Sequence, residues 1–540
     1  MLSVRNLRIA LPLGGDRTFA VEDISLDLAA GKTLCLVGES GSGKSVTGQA
    51  IAGLQPKILR GLTSGSIRLH GTELSGLTQR EWQSVRGREI GVVFQEPMTA
   101  LNPIMKVGRQ IAEIYAAHGI RMGRAELRER VHSLLERVGI REPQRIANSY
   151  SFEISGGQRQ RVVIACAVAL APKLLIADEP TTALDVTTQQ QVLELIADLQ
   201  REHGMGVLFV THDFGVVADI ADEVAVMQAG KLVEQGPAHQ VLKSPRQLYT
   251  RQLVEAVPRL TECRACPECR PAPLVVFKDV CKTYSVADGL FKRRKNAALS
   301  SVSFDICKGE VVALVGESGS GKSTIARCLT RLTPVESGSI RLEGSDLLTL
   351  GGRDLKQARR RIQIVFQDPY GSLDPRQKVL DAVAAGPIAH GVDKEQARTE
   401  AAELLRLVGL NASVLDRFPH EFSGGQRQRI GIARALAVKP DLLIADEAVS
   451  ALDVTVQAQV LRLLQDLQER LGLTMLFITH DLRIAAQVSD RTVVLRNGRI
   501  VEMGPTEHVF RQPQEAYTRK LLGAIPGVQA AERNFASTLH

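Results

Sequence analysis

Short runs of alternating apolar and polar residues open the chain at Leu2 to Ile9 and return at Leu274 to Val280, the period-two pattern of a half-buried strand. Each run leads into an apolar strand, a glycine-rich loop and a helix, and then into a mostly helical stretch, roughly residues 99–170 and 371–438. Continuously apolar segments come back at Leu174 to Ala177 and Val207 to Val210, and again at Leu442 to Ala445 and Met475 to Ile478. Runs of that kind belong to strands covered on both faces, and their alternation with helices predicts a largely parallel sheet. The expected fold class is α/β, with a helical subdomain inserted in it.

The pattern is one unit written twice. Gly38 to Ser45 (GESGSGKS) recurs as Gly316 to Ser323, and Ser155 to Arg161 (SGGQRQR) recurs as Ser423 to Arg429. Spacing is kept too: the step from Ser155 to Asp178 equals that from Ser423 to Asp446, and Asp178 to His212 equals Asp446 to His480. Self-similarity over a whole domain length marks a tandem duplication. The expected domains are residues 1–258 and 274–540. Between them, 259–273 has prolines at 267, 271 and 273 and no apolar period, and reads as a linker.

With 540 residues, the chain exceeds what one core usually closes around. Hydrophobic residues at 44% and charged residues at 23% suit globular domains. The longest strongly apolar stretch, Val162 to Ala171, is about half of the roughly 20 residues a membrane-spanning helix needs. The N-terminus alternates like a strand and lacks the continuous apolar core of a secretory signal, so a cytosolic protein is expected. The formal charge of +8 is a modest excess and reads as an ordinary solvated surface, as does the basic run Lys292 to Lys295. Of eight cysteines, five stand singly and read as reduced thiols.

The chemistry lies in the repeated motifs. In Gly38-x-x-x-x-Gly43-Lys44-Ser45, glycines let backbone N–H groups turn around phosphate oxygens at a helix N-terminus; Lys44 reaches the terminal phosphates and Ser45 coordinates Mg²⁺. Gly316, Gly321, Lys322 and Ser323 repeat the arrangement. The strands ending at Asp178 and Asp446 each present a carboxylate for the metal, and the next residues, Glu179 and Glu447, are placed to polarise an attacking water. Nucleoside triphosphate binding and hydrolysis follow.

Gly38 to Ser45, Gln95, Ser155 to Gln158, Asp178, Glu179, Asp185 and His212, with their counterparts Gln367, Ser423 to Gln426, Asp446, Glu447, Asp453 and His480, resemble the full motif set of ATP-binding-cassette ATPases. The resemblance covers nearly the whole chain. It implies two P-loop NTPase domains, each with a RecA-like core, a small antiparallel β region and a helical subdomain. It further implies that ATP is held by Gly38, Ser40, Gly41, Gly43, Lys44, Ser45 and Val46, and by Gly316, Ser318, Gly319, Gly321, Lys322, Ser323 and Thr324. Mg²⁺ would lie on Ser45, Gln95 and Asp178, and on Ser323, Gln367 and Asp446. Each nucleotide is expected between domains, the P-loop of one copy facing Ser423, Gly425 and Gln426, and that of the other facing Ser155, Gly157 and Gln158. Glu179, His212, Glu447 and His480 take the catalytic places, so both sites are expected to hydrolyse ATP. Tyr284 matches the family's adenine-stacking aromatic residue; Leu11 stands at that place in the first copy, where Phe19 is a substitute candidate, although a core phenylalanine is the preferred reading.

Phe94 to Pro97 with Leu101 to Pro103, Phe366 to Pro369 with Leu373 to Pro375, and the paired tails Tyr249-Thr250-Arg251 and Tyr517-Thr518-Arg519 resemble the dipeptide, oligopeptide and nickel importer group. That resemblance implies a fused pair of peptide-importer ATPases on the cytoplasmic face of the inner membrane, beneath two permeases, with an extracytoplasmic solute-binding protein delivering cargo. Nickel, glutathione and other small solutes are alternative cargoes. The alternative of a different class is a soluble twin-cassette ATPase that binds the ribosome; such proteins typically carry a long charged helical linker, whereas the linker here is short and rich in proline and cysteine, so the importer is preferred and no nucleic acid is expected. In the linker, Cys263, Cys266 and Cys269 have part of an iron–sulfur ligand spacing, with Cys281 as a candidate fourth ligand and zinc as a second option; a plain linker is the preferred reading.

Overall fold

The computed structural model describes residues 1–12, 17–182, 184–258, 260, 263–264, 272–288, 292–368, 370–450 and 452–527. The chain divides into two compact units whose main spans are 1–184 with 188–257, and 258–525.

In the first unit the strands are β1 (Leu2–Ala10), β2 (Phe19–Leu28), β3 (Thr33–Val37), β4 (Thr63–Leu69), β5 (Thr72–Glu73), β6 (Ile90–Val93), β7 (Leu174–Asp178), β8 (Gly206–Val210), β9 (Glu223–Gln228) and β10 (Lys231–Pro237). A four-stranded antiparallel sheet runs β2-β1-β4-β5, and a six-stranded sheet runs β10-β9-β3-β8-β7-β6. The latter is parallel except for β10, which pairs antiparallel with β9. The helices that matter for the site are α1 (Lys44–Ile51), α2 (Val107–Ala117), α3 (Arg124–Arg137), α4 (Gly156–Val168) and α5 (Leu248–Glu255).

Every residue of β3 and β8 is buried, as their unbroken apolar sequences require. Side chains alternate across this central sheet. Leu34, Leu36, Ile176 and Leu208 pack with the antiparallel sheet, while Cys35, Val37, Leu175 and Phe209 pack with α2, α3 and α4. The first strand departs from strict alternation. Its buried residues are Leu2, Val4, Leu7 and Ile9, a change of phase accommodated by a register shift near Asn6, whose φ is 49°. The bulge returns the apolar residues to the core face.

The second unit repeats this plan with β11 (Pro273–Asp288), β12 (Lys292–Cys307), β13 (Val311–Val315), β14 (Ser337–Leu342), β15 (Ser345–Asp346), β16 (Ile362–Val365), β17 (Leu442–Asp446), β18 (Thr474–Ile478), β19 (Arg491–Arg496) and β20 (Arg499–Pro505). Its sheets run β12-β11-β14-β15 and β16-β17-β18-β13-β19-β20, the same orders strand for strand. The corresponding helices are α6 (Lys322–Leu329), α7 (Val379–Ala389), α8 (Lys394–Leu407), α9 (Gly424–Leu436) and α10 (Ala516–Gly523). The bulge is repeated as well, at Asp279 with φ 49°. β11 begins at Pro273, which the sequence reading places in the linker, and extends well beyond Val280 because its far end pairs with β12. Among the described residues, no helix is long and apolar enough to cross a membrane.

Candidate active site

The loop between β3 and α1 is shaped by close backbone approach. Gly38 has φ 145°, and a Cβ there would lie 2.1 Å from the Met227 carbonyl oxygen on β9; at Gly316 the distance would be 2.2 Å, to Leu495. No side chain fits either place. Gly43 precedes α1 with φ 106° and offers no side-chain cap, which leaves the first-turn N–H groups to an external acceptor. Lys44 is buried, and its Nζ donates to the carbonyls of Gly38 (2.7 Å) and Glu39 (2.8 Å). Lys322 repeats both bonds at 2.8 and 2.9 Å. Burial pulls the Lys322 amine below its usual range, against the opposing pull of Glu447. Ser40, Gly41, Ser318 and Gly319 lie exposed on the same two loops, and Val46 and Thr324 are half-buried in the first turns of α1 and α6.

Parallel pairing of β7 with β8 sets Asp178 beside Val210, at the sheet edge where the loop lies. Ser45 donates to Asp178 Oδ1 at 2.9 Å, and Ser323 to Asp446 Oδ1 at 3.1 Å. Burial pushes both aspartates above their usual range, with the serine bonds opposing. Glu179 then turns off the strand at φ 46°, its N–H donating to the Val210 carbonyl at 2.9 Å. Glu447 has φ 49° and the same bond to Ile478. A left-handed glutamate is uncommon, and its occurrence at the same place in both copies points to a required side-chain direction.

That direction gathers three groups. Gln95 Nε2 donates to Glu179 Oε2 at 2.9 Å, Thr182 Oγ1 donates to the same oxygen at 3.0 Å, and His212 Nδ1 lies 3.1 Å from Oε1. In the second copy Gln367 Nε2 donates to Glu447 at 2.8 Å and His480 Nδ1 lies 3.5 Å away. Burial raises the affinity of these glutamates for a proton, but the histidine beside each and the loop lysine, joined at Glu179 by Thr182, together outweigh it, and both stay below the usual range. Each remains a carboxylate at neutral pH.

Ser155 and Ser423 cap α4 and α9. The Ser155 hydroxyl accepts from the Gln158 N–H at 3.3 Å while Gln158 Oε1 accepts from the Ser155 N–H at 3.0 Å, and Ser423 with Gln426 repeats this at 3.4 and 3.1 Å. Gly157 and Gly425 sit where a Cβ would meet Thr188 at 2.7 Å and Val456 at 2.2 Å.

Tyr284 is half-buried on β11, with Lys282 Nζ 5.3 Å from its ring centre. Leu11 packs on the core, whereas Phe19, expected there, is half-buried at the start of β2 and joins no core cluster. Of the linker cysteines, Cys266 and Cys269 lie outside the described residues; Cys263 is half-buried and donates to the Leu260 carbonyl at 3.3 Å. Cys281 accepts from the Ser301 N–H at 3.2 Å. Among the described residues, no three His, Cys, Asp or Glu side chains are grouped to hold a metal.

Two participants escape sequence reasoning. Thr182 lies on Glu179, and its second-copy counterpart Ser450 donates instead to the Glu447 carbonyl at 3.0 Å. Tyr249 and Tyr517 reach the loops themselves, as described below. Their recurrence in both tails is visible in the sequence; their target is not.

A model of the ABC transporter family matches residues 21–182 and again 299–450, ranges that take in both glycine loops and both strand-end glutamates and stop short of His212 and His480. The chain belongs to this family. It is a tandem ABC ATPase, and its hydrolysis of ATP drives transport. A second model, the oligopeptide/dipeptide transporter C-terminal region, matches 233–273 and 501–539. Over 543 residues the ABC ATPase is 45% identical to the peptidoglycan transport ATP-binding protein YejF of Agrobacterium fabrum, covering 99% of this chain and 98% of that one. It is 45% identical to the glutathione import ATP-binding protein GsiA of Salmonella typhimurium (97% and 89% covered). It is 41% identical to the oligopeptide transport ATP-binding protein OppD of Mycobacterium tuberculosis (99% and 99% covered).

Proposed function

We propose that this chain energises import of short peptides and peptide-like amides from the cytoplasmic face of the inner membrane. It does so through two permeases supplied by a solute-binding protein. The observation that carries the reading is the oligopeptide/dipeptide C-terminal region, present once behind each catalytic unit. The relatives are named for peptidoglycan, glutathione and oligopeptides, each of which contains amino acids joined by amide bonds.

The residues present suit Mg-ATP: a glycine loop with left-handed turns, a buried lysine bonded to the loop's own carbonyls, and a serine–aspartate pair at its foot. Lys44 and Lys322 exchange those carbonyls for terminal phosphate oxygens. Ser45, Gln95 and Asp178, and Ser323, Gln367 and Asp446, would hold Mg²⁺, which would supply neutralisation of the phosphate charge. Glu179 and Glu447 orient a water and accept its proton, and His212 and His480 hold those carboxylates and contact the terminal phosphate. Ser155, Gly157 and Gln158, with Ser423, Gly425 and Gln426, present helix N-termini to phosphate. Tyr284 stacks on adenine in the second copy. An iron–sulfur cluster on Cys263, Cys266 and Cys269 gains no support from the described residues, and the reading does not depend on it.

Uptake of a labelled dipeptide, glutathione and a longer peptide by native cells tests the proposal, comparing the natural chain with K44A/K322A. Loss of peptide uptake in the double variant is expected, and the affected probe narrows the cargo. Unchanged uptake of all three refutes peptide import.

A further inference from the structure

The C-terminal region of each unit reaches back to the nucleotide loop. In the first unit, Tyr249 at the start of α5 accepts through its hydroxyl from the N–H of Glu39, the second residue of the loop, at 3.2 Å. In the second, Tyr517 on α10 accepts from the N–H of Glu317, also at 3.2 Å. The peptide group concerned is the one whose carbonyl, at Gly38 or Gly316, accepts from the loop lysine. A single peptide plane is therefore held at both ends, by the phosphate-seeking lysine on one side and by the tail's phenol on the other.

The tyrosine is itself anchored. Glu234 on β10 accepts from the N–H groups of Arg246 (2.9 Å) and Gln247 (3.1 Å) just ahead of α5. Glu502 on β20 does the same for Gln514 (2.8 Å) and Glu515 (3.2 Å) ahead of α10. A carboxylate bridging two orphan amides fixes where the helix begins, and hence where its first-turn tyrosine points. Tyr517 is buried, with the Arg496 guanidinium 4.8 Å from its ring centre, and burial pushes its phenol up to about 12. It stays protonated and neutral throughout the working range.

We infer that Tyr249 and Tyr517 are positioning residues for nucleotide binding: each holds the first peptide of its P-loop in the binding conformation after the lysine has left that peptide for phosphate. The inference rests on the reading of these loops as the ATP sites. It gives the C-terminal region a task inside the motor, since displacing α5 or α10 would loosen the loop and weaken nucleotide binding. A neutral hydrogen bond of this kind contributes an amount equivalent to about a two- to tenfold change in affinity.

The test uses the full chain and equilibrium binding of ADP and a non-hydrolysable ATP analogue. Y249F is measured in a K322A background and Y517F in a K44A background, so that one intact loop is read at a time. Each Phe variant keeps the ring and removes only the hydroxyl. The expected result is a dissociation constant raised twofold or more for both nucleotides. Amide exchange in 38–44 or 316–322 should be faster without nucleotide, while exchange in β3, β8, β13 and β18 is unchanged. E234Q and E502Q, which leave the tyrosines in place, should shift affinity in the same direction. A change of less than twofold in both Phe variants overturns the inference. If K44A/K322A itself binds nucleotide as tightly as the natural chain, the site assignment fails, and the inference with it.

Discussion

The signature serines have a structural task in plain view and a catalytic one proposed, and two substitutions separate them. Ser155 and Ser423 cap α4 and α9 through contacts of 3.3 and 3.4 Å, near the long limit for a hydrogen bond. Removing such a cap with alanine costs about 0.5–1 kcal/mol, the lower half of the usual span, or about 1–4 °C of melting temperature in a unit of this size. Aspartate caps as well as serine and favours the positive end of the helix, so S155D/S423D should melt within about 1 °C of the natural chain. Hydrolysis should respond in the opposite order. If the serines face the terminal phosphate, a carboxylate there sets two like charges about 4 Å apart, worth about 4 kcal/mol at an effective dielectric constant near 20, or about a thousandfold in rate. Both serines are changed together so that no intact copy masks the loss. Steady-state ATPase activity and thermal melts are read on the same preparations of S155A/S423A and S155D/S423D. An aspartate pair that keeps activity within a few-fold of the natural chain would show that the serines only cap, and would refute the phosphate role.

Two further outcomes follow from charges in the second unit. Arg491 and Glu310 are both buried, with Nε 3.0 Å from Oε1, and Asp305 lies 3.2 Å from the guanidinium; R491M removes the buried countercharge of the Glu310 carboxylate, which keeps its bond from the Cys307 N–H, and should cost about 3 kcal/mol. E310M/R491M removes both charges and should recover most of that, so denaturant midpoints showing the double variant as unstable as the single one would contradict the argument. Glu343 is held at about 2 by the Lys308 and Arg361 groups, each 2.5 Å away. Its folded value lies below the unfolded 4.5, so its stabilisation is complete above pH 4.5 and lost as pH falls toward 2. E343Q should therefore lower the urea midpoint at pH 7 and converge with the natural chain near pH 2; a gap that is constant with pH would sink the assignment.

The duplication, the α/β class, the loop strands and the residues Lys44, Ser45, Asp178, Glu179 and His212 are all readable from the chain alone. Each rests on a short run whose chemistry is local: glycines that bare N–H groups, an apolar strand that ends in carboxylates, a serine that caps the helix it opens. The sequence also marks Tyr249 and Tyr517 as a repeated pair. Strict alternation in the first strand, by contrast, is not what the chain does, because the bulge at Asn6 lets Leu2, Val4, Leu7 and Ile9 share one face.

Other features needed the folded units. Glu179 and Glu447 turn toward Gln95 and Gln367 only because the backbone leaves the strand in a left-handed conformation, which no composition signals. The tail tyrosine meets a loop amide 210 positions earlier in the chain. Such a contact depends on where β10 ends and how Glu234 seats the following helix, since residues so far apart share no local pattern and are brought together only by packing of the sheet between them.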